Sequence, residues 1–113
     1  MEKIDILLAT YNGSKYLHEQ LDSILSQSYG NINVIIRDDG SSDNTVMIIN
    51  EYEEKDNRVK LLNDNLGNLG FVRNFEELMK NSTSEYFVVR QYICDKKIKN
   101  RKVSDIMFLR KPK

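Results

Sequence analysis

Short apolar runs and amphipathic stretches alternate along residues 1–89 of this 113-residue chain, and that alternation leaves few folds open. Ile4–Ala9 (IDILLA) is an apolar run with one interruption, the length of a buried strand. Thr10-Tyr11-Asn12-Gly13 has turn chemistry, and Ser14 is placed to cap a helix. In SKYLHEQLDSILSQ, Leu17, Leu21, Ile24 and Leu25 share one helical face, and Tyr29-Gly30-Asn31 closes the segment. Asn33–Arg37 (NVIIR) predicts a second strand, followed by the polar loop Asp38-Asp39-Gly40-Ser41-Ser42-Asp43. Ser42 or Asp43 can cap the next helix, where Val46, Ile49 and Tyr52 share a face and Glu51, Glu53 and Glu54 lie towards water. Val59–Leu62 is a short third strand. The loop 63–70 (NDNLGNLG) is rich in residues that accept left-handed backbone. A third helix carries Phe71, Phe75, Leu78 and Met79 on one face, and Tyr86–Val89 is the fourth strand. This order predicts an α/β fold: three layers, α/β/α, around a mostly parallel, Rossmann-like sheet.

Composition narrows the chemistry. The chain is 40% hydrophobic and 30% charged, as ordinary globular proteins are, and no run is apolar for long enough to span a bilayer. Met1-Glu2-Lys3 leads straight into the first strand pattern, so no secretory leader is expected and a cytoplasmic setting is. Cys94 is the only cysteine and His18 the only histidine. A disulfide framework, a cysteine- or histidine-rich metal cluster and a second-histidine Ser-His-Asp triad are therefore excluded. His18 reads as a helix-surface residue. The zero net charge hides an asymmetry: residues 1–89 hold 8 basic and 15 acidic side chains, and residues 90–113 hold 9 and 2. The basic end can meet an anionic surface or simply be solvated. The chain divides accordingly into 1–89, a ligand-binding half-domain, and 90–113, a basic segment.

Parallel sheets bind ligands beyond the carboxyl ends of their strands, so the loops at 10–13, 38–43, 63–70 and 90–92 are the informative ones. Adjacent carboxylates Asp38 and Asp39 can bind a cation, accept hydrogen bonds from a ligand, or cap the following helix. Tyr11 offers an aromatic face for a base. Asp39, as an ionised carboxylate, can accept from a ring N–H or a ribose hydroxyl. Gly67 and Gly70 allow close backbone approach, and Arg73 can pair with a phosphate or stand as an exposed helix arginine. A phospho-acceptor receiver domain would need an acidic pair after the first strand and an Asp ending the third. Thr10-Tyr11-Asn12 and Leu61-Leu62-Asn63 stand there instead.

The spaced pattern ILLATYNGSKYLHEQLDSILSQSYGNINVIIRDDGSSDNT (residues 6–45) resembles the start of the family 2 nucleotide-sugar glycosyltransferases of the GT-A fold. NLGNLGFVRNFEELM (residues 65–79) extends the likeness and is similar to the rhamnosyltransferase-like branch. The resemblance covers residues 4–89. It implies that Ala9, Thr10, Tyr11 and Asp39 hold the base and ribose, that Asn12 and Asp38 wall the site, and that Gly67, Gly70 and Arg73 lie near the nucleotide. It implies inverting sugar transfer from a nucleotide-diphosphate sugar (UDP- or dTDP-linked) to a hydroxyl, in glycan assembly at the inner membrane face. Peripheral membrane association fits that setting; nucleic acid is not an expected partner.

Two departures qualify the expectation. The family places a D-x-D signature after the fourth strand, where carboxylates bind Mg²⁺ or Mn²⁺ to neutralise the leaving diphosphate. Here Arg90-Gln91-Tyr92-Ile93-Cys94-Asp95 stands in that place, so no metal ligand and no catalytic residue is assigned. The family's later region, with its acceptor pocket and general base, is also expected to be missing, so the chain alone should be weakly active or inactive. The alternative class is a non-catalytic assembly module. It would bury its open sheet edge in a homo-oligomer, with Ile106–Leu109 as a candidate contact.

Overall fold

The computed structural model describes residues 3–84, 86–89, 93–94 and 107–110; for Phe71, Val88, Val89 and the last two segments the description is of backbone alone. Its elements are β1 (Ile4–Tyr11), α1 (Ser14–Leu25), β2 (Ile32–Asp38), α2 (Thr45–Lys55), β3 (Val59–Leu61), α3 (Phe71–Asn81), β4 (Tyr86–Val89), β5 (Ile93–Cys94) and β6 (Met107–Arg110). The sheet runs β3-β2-β1-β4-β6, with β5 also pairing β1. All pairings are parallel except the antiparallel one between β4 and β6. The fold is α/β, as the alternation predicts.

β1 is central because it is apolar on both faces: its six inner residues, Asp5 to Thr10, are all buried. Successive side chains in a strand point to opposite faces, and the two cores follow that alternation. Ile6 and Leu8 join Val34, Ile36, Ile48, Ile49 and the α1 residues Leu17, Leu21 and Ile24 on one side. Leu7 and Ala9 join Ile35, Phe75, Leu78 and Phe87 on the other. α1 and α2 thus cover one face and α3 the opposite one. The chain steps outward from β1 to β2 to β3, then returns past β1 to β4. Right-handed crossovers require the helix to change faces at that reversal.

Strand limits shift modestly from the expected ones: β1 continues past Ala9 to Tyr11, β2 gains Ile32 and Asp38, and β3 stops at Leu61 rather than Leu62. In α2 the buried face is Thr45, Ile48 and Ile49 rather than Val46, Ile49 and Tyr52. Tyr52 is only partly buried because its hydroxyl serves a polar contact: it donates to Asp22 of α1 and lies 3.2 Å from Nδ1 of the exposed His18. Burial, followed by the bond to Asp22, pushes the Tyr52 hydroxyl up to about 12. Met79, expected in the core, is 39% exposed.

Two strands come from the segment that charge sets apart. Ile93–Cys94 aligns with Thr10–Tyr11, and Met107–Arg110 pairs with β4, so part of the apolar run named as a contact between copies lies in this chain's own sheet. Arg90-Gln91-Tyr92 and Asp95, where the metal signature was sought, lie outside the described residues.

Candidate functional site

The parallel register sets Thr10 directly opposite Asp38 at the carboxyl ends of β1 and β2. Thr10 Oγ1 donates to Asp38 Oδ1 at 2.7 Å, and the Asp39 N–H donates to the Thr10 carbonyl at 2.8 Å. The next residues continue the stitching. Asn12, in left-handed geometry at φ 50°, donates its N–H to Ser41 Oγ at 2.7 Å and accepts from the Ser42 N–H at 2.8 Å. Ser41 returns its own N–H to Asp38 Oδ2 at 2.7 Å.

Behind this pair of loops, Asp43 serves two helices. Its Oδ2 accepts from the Ser14 N–H at 3.2 Å and Oγ at 2.8 Å, and its Oδ1 accepts from the Thr45 N–H at 3.0 Å and from Thr45 Oγ1. Burial pushes the Asp43 carboxyl up, but these bonds outweigh it and hold it below the ordinary value. Ser14 does not cap α1 as its position suggested. It is the first helical residue, Gly13 is the N-cap, and the acceptor comes from Asp43, 29 residues on.

The second cluster centres on Arg37, which is 1% exposed and spends all five of its N–H donors. Nε donates to Asp64 Oδ2 at 2.8 Å. One terminal nitrogen donates to Asp39 Oδ1 at 3.2 Å and Asn74 Oδ1 at 3.0 Å. The other donates to Asp64 Oδ1 at 3.2 Å and the Gly67 carbonyl at 2.9 Å. Asp39 in turn accepts the Leu69 N–H on Oδ1 at 2.6 Å and the Gly70 N–H on Oδ2 at 3.0 Å. Asn68 Nδ2 donates to the Asp39 carbonyl at 2.8 Å. The loop 63–70 is thereby tied down by polar bonds onto the end of β2. The hydrogen bonds from Arg37 hold the Asp64 carboxyl below its usual value.

Thr10, Tyr11, Asn12 and Asp38 are brought together; Tyr11, Asn12 and Asp38 are half-buried and Thr10 is buried. Ala9 is a core residue, fully buried beside Leu7. Asp39 is 1% exposed and joined to Gly70, while Gly67 meets Arg37. Arg73 is exposed, and its neighbour Asn74 is the α3 residue that reaches the network. Arg37, Asp64, Asn68 and Asn74 carry this site and were not singled out from the sequence. The available signal was a charged residue directly after three apolar strand positions, which cannot be buried without acceptors.

The positions where the resemblance puts the divalent cation, Arg90-Gln91-Tyr92 and Asp95, lie outside the described residues. No three His, Cys, Asp or Glu side chains converge among the described residues. The oxygens of Asp38 and Asp39 accept from N–H and O–H donors of the protein.

Residues 5–90 match the model of Glycosyl transferase family 2. An uncharacterized glycosyltransferase of Haemophilus influenzae is 48% identical over 61 residues, 54% of this chain and 24% of its own length. EpsE of Bacillus subtilis is 32% identical over 110 residues, 96% of this chain and 39% of its own, so that match takes in most of the basic segment. The structure of S. aureus TarS 1-349 in complex with UDP-GlcNAc superposes with a TM-score of 0.68 at 26% identity, over 77% of this chain and 25% of that one. The chain thus spans about a quarter to two fifths of the length of these proteins. With a family model matched over most of its residues and the α/β nucleotide-sugar-binding architecture of the GT-A enzymes, the chain belongs to the family 2 glycosyltransferases.

Proposed function

We propose that this chain forms the donor-nucleotide site of an inverting transferase that takes a UDP- or dTDP-linked sugar to a hydroxyl acceptor. The observation that carries the reading is the strand order. The reversal in β3-β2-β1-β4 puts the topological switch point between β1 and β4, and the loop Thr10-Tyr11-Asn12 stands at its carboxyl side. Tyr11 supplies a face for the base, and Asn12 and Asp38 form the adjoining wall. Asp39 acts from beneath. With its side chain 1% exposed and its oxygens bonded to Arg37 and to the Leu69 and Gly70 N–H groups, Asp39 shapes the nucleotide site by holding loop 63–70 in place. Arg73, exposed on the first turn of α3, is a cation available to a phosphate. The rhamnosyltransferase-like branch is the finer assignment we favour from residues 65–79.

Neither acceptor site nor general base is assigned to these 113 residues. Sugar transfer by the chain alone should therefore be slight. Calorimetric titration with UDP, dTDP and GDP, with and without Mn²⁺, tests the donor site. Binding that does not depend on metal supports it, and no binding by any of the three overturns it. An assembly module is the second reading, favoured by Leu66 and Val72, 50% and 63% exposed where loop 63–70 enters α3. A single monomeric species across concentrations in size-exclusion chromatography would remove that reading.

A further inference from the structure

Arg37 sits beneath the site just described and touches every part that fixes the loop between β3 and α3. We propose that Arg37 is a positioning residue for nucleotide binding, setting loop 64–70 against Asp39 so that the donor site is formed before the ligand arrives; this rests on the donor-site reading above.

The geometry separates this role from ordinary core filling. Arg37 extends from a strand position whose inward neighbours are apolar, and burying a guanidinium there is costly unless every donor is met. All five are met, and three of the five bonds go to loop 64–70, two to Asp64 and one to the Gly67 carbonyl. The remaining two hold Asp39 and Asn74, the carboxylate that receives the loop's far end and the first-turn residue of α3. The loop has few apolar anchors: Leu66 is 50% exposed, and Asn63, Asn65, Gly67 and Asn68 are exposed. Its placement therefore depends on Arg37 and Asp39. The closeness of the two loops has a second mark. Gly40, at φ +86°, lies where an added Cβ would be 3.7 Å from the Asn68 Cβ.

A lysine cannot reproduce this arrangement. It has one nitrogen and three donors, while the bonds of Arg37 diverge from a planar fork to four partners. Arg37→Lys keeps the charge beside Asp39 and loses the geometry. Asp64→Asn keeps the Arg37 side chain and its bonds to Asp39, Asn74 and Gly67, and weakens the pair of bonds to the half-buried outer anchor of the loop.

The test uses the whole chain. Nucleotide affinity for UDP, dTDP and GDP is measured by calorimetry well below each variant's Tm. Hydrogen exchange is followed at the Leu69 and Gly70 amides, with β1 amides as the internal reference. Arg37→Lys should weaken nucleotide binding about tenfold or more, and Asp64→Asn by a smaller factor. Both should speed exchange at Leu69 and Gly70 while β1 stays protected. Should Arg37→Lys fail to fold, Asp64→Asn carries the same two readouts. Binding unchanged within about twofold, in variants whose loop exchange has accelerated, makes Arg37 structural only and overturns the proposal. Unchanged exchange overturns it as well. A wild-type chain that binds none of the three nucleotides overturns the donor-site reading and the positioning role together, whereas wild-type binding with unaffected variants removes the positioning role alone.

Discussion

Asp5 shows how much a single carboxylate can organise. It is fully buried at the start of β1 and gathers the turn that joins α3 to β4. Ser82 Oγ donates to it at 2.6 Å, Ser84 Oγ at 2.8 Å, and the Thr83 and Ser84 N–H groups each at 3.1 Å. Burial pushes its carboxyl up, and the bonds from Ser82, Ser84 and Asn33 overcome that and bring it below the ordinary value. Asp5→Ala would strand five donors, Asn33 Nδ2 among them, so unfolding in urea should show a loss of about 2–4 kcal/mol. Asp5→Leu should be no better, because the donors rather than the volume set the cost. A loss under about 0.5 kcal/mol would mean that water replaces the carboxylate. In the sequence Asp5 was only the interruption in IDILLA, since its partners lie 28 to 79 residues away. Arg37 was hidden for the same reason. A polar residue inside an apolar run announces a need for partners without saying which residues meet it.

Among the elements, the helix starts show best where local pattern and tertiary placement diverge. Neither α1 nor α2 is capped by the side chain of its own N-cap residue. Asp43 takes over for both, which couples the first helix to the loop after β2. Asp43→Ala should cost more than a single lost cap, about 1–3 kcal/mol, and Asp43→Asn less, measured by urea unfolding. α3 begins differently. Its N-cap Gly70 has φ 84° and ψ 167°, a region essentially confined to glycine, and its N–H is committed to Asp39. An added Cβ there would meet nothing within 4 Å, so the cost of Gly70→Ala is conformational rather than steric. Thermal unfolding should show about 1–3 kcal/mol, with faster exchange at the Leu69 amide. Helix existence was readable from the spacing of Leu17, Leu21 and Ile24 or of Phe75 and Leu78, because those residues need only a face to bury. The start of α2 was readable too, in Asp43 two residues before Thr45, but that of α1 was not, because its acceptor comes from the loop after β2.

For the whole molecule, the sheet and its two helical layers were legible because β1 and β2 are apolar on both sides and the intervening helices are amphipathic. β5 and β6 were not. A two-residue strand carries no periodicity, and the apolar run Ile106–Leu109 stands alone in a basic segment, so it read as a contact with another copy rather than as a strand beside β4. The carboxylates impose a property on the molecule that no single element shows. Asp5, Asp43, Asp56 and Asp64 are all held below the ordinary carboxylate value, by hydrogen bonds that outweigh burial for the first two and chiefly by Arg58 and Arg37 for the others. A group whose folded value is depressed contributes stability that is fully present above its unfolded value and is lost as pH falls through the folded one. The Tm should therefore change little through these groups between neutrality and about pH 5, then fall steeply below about pH 4 as the unfolded chain takes up protons that the folded chain refuses. Calorimetric scans of the wild type and Asp5→Asn across that range make the comparison. The variant starts from a lower Tm and loses less on acidification, because the proton-linked part of its Asp5 contribution is already gone. Parallel curves for the two proteins would show that Asp5 does not share in the acid transition and that the remaining carboxylates carry it.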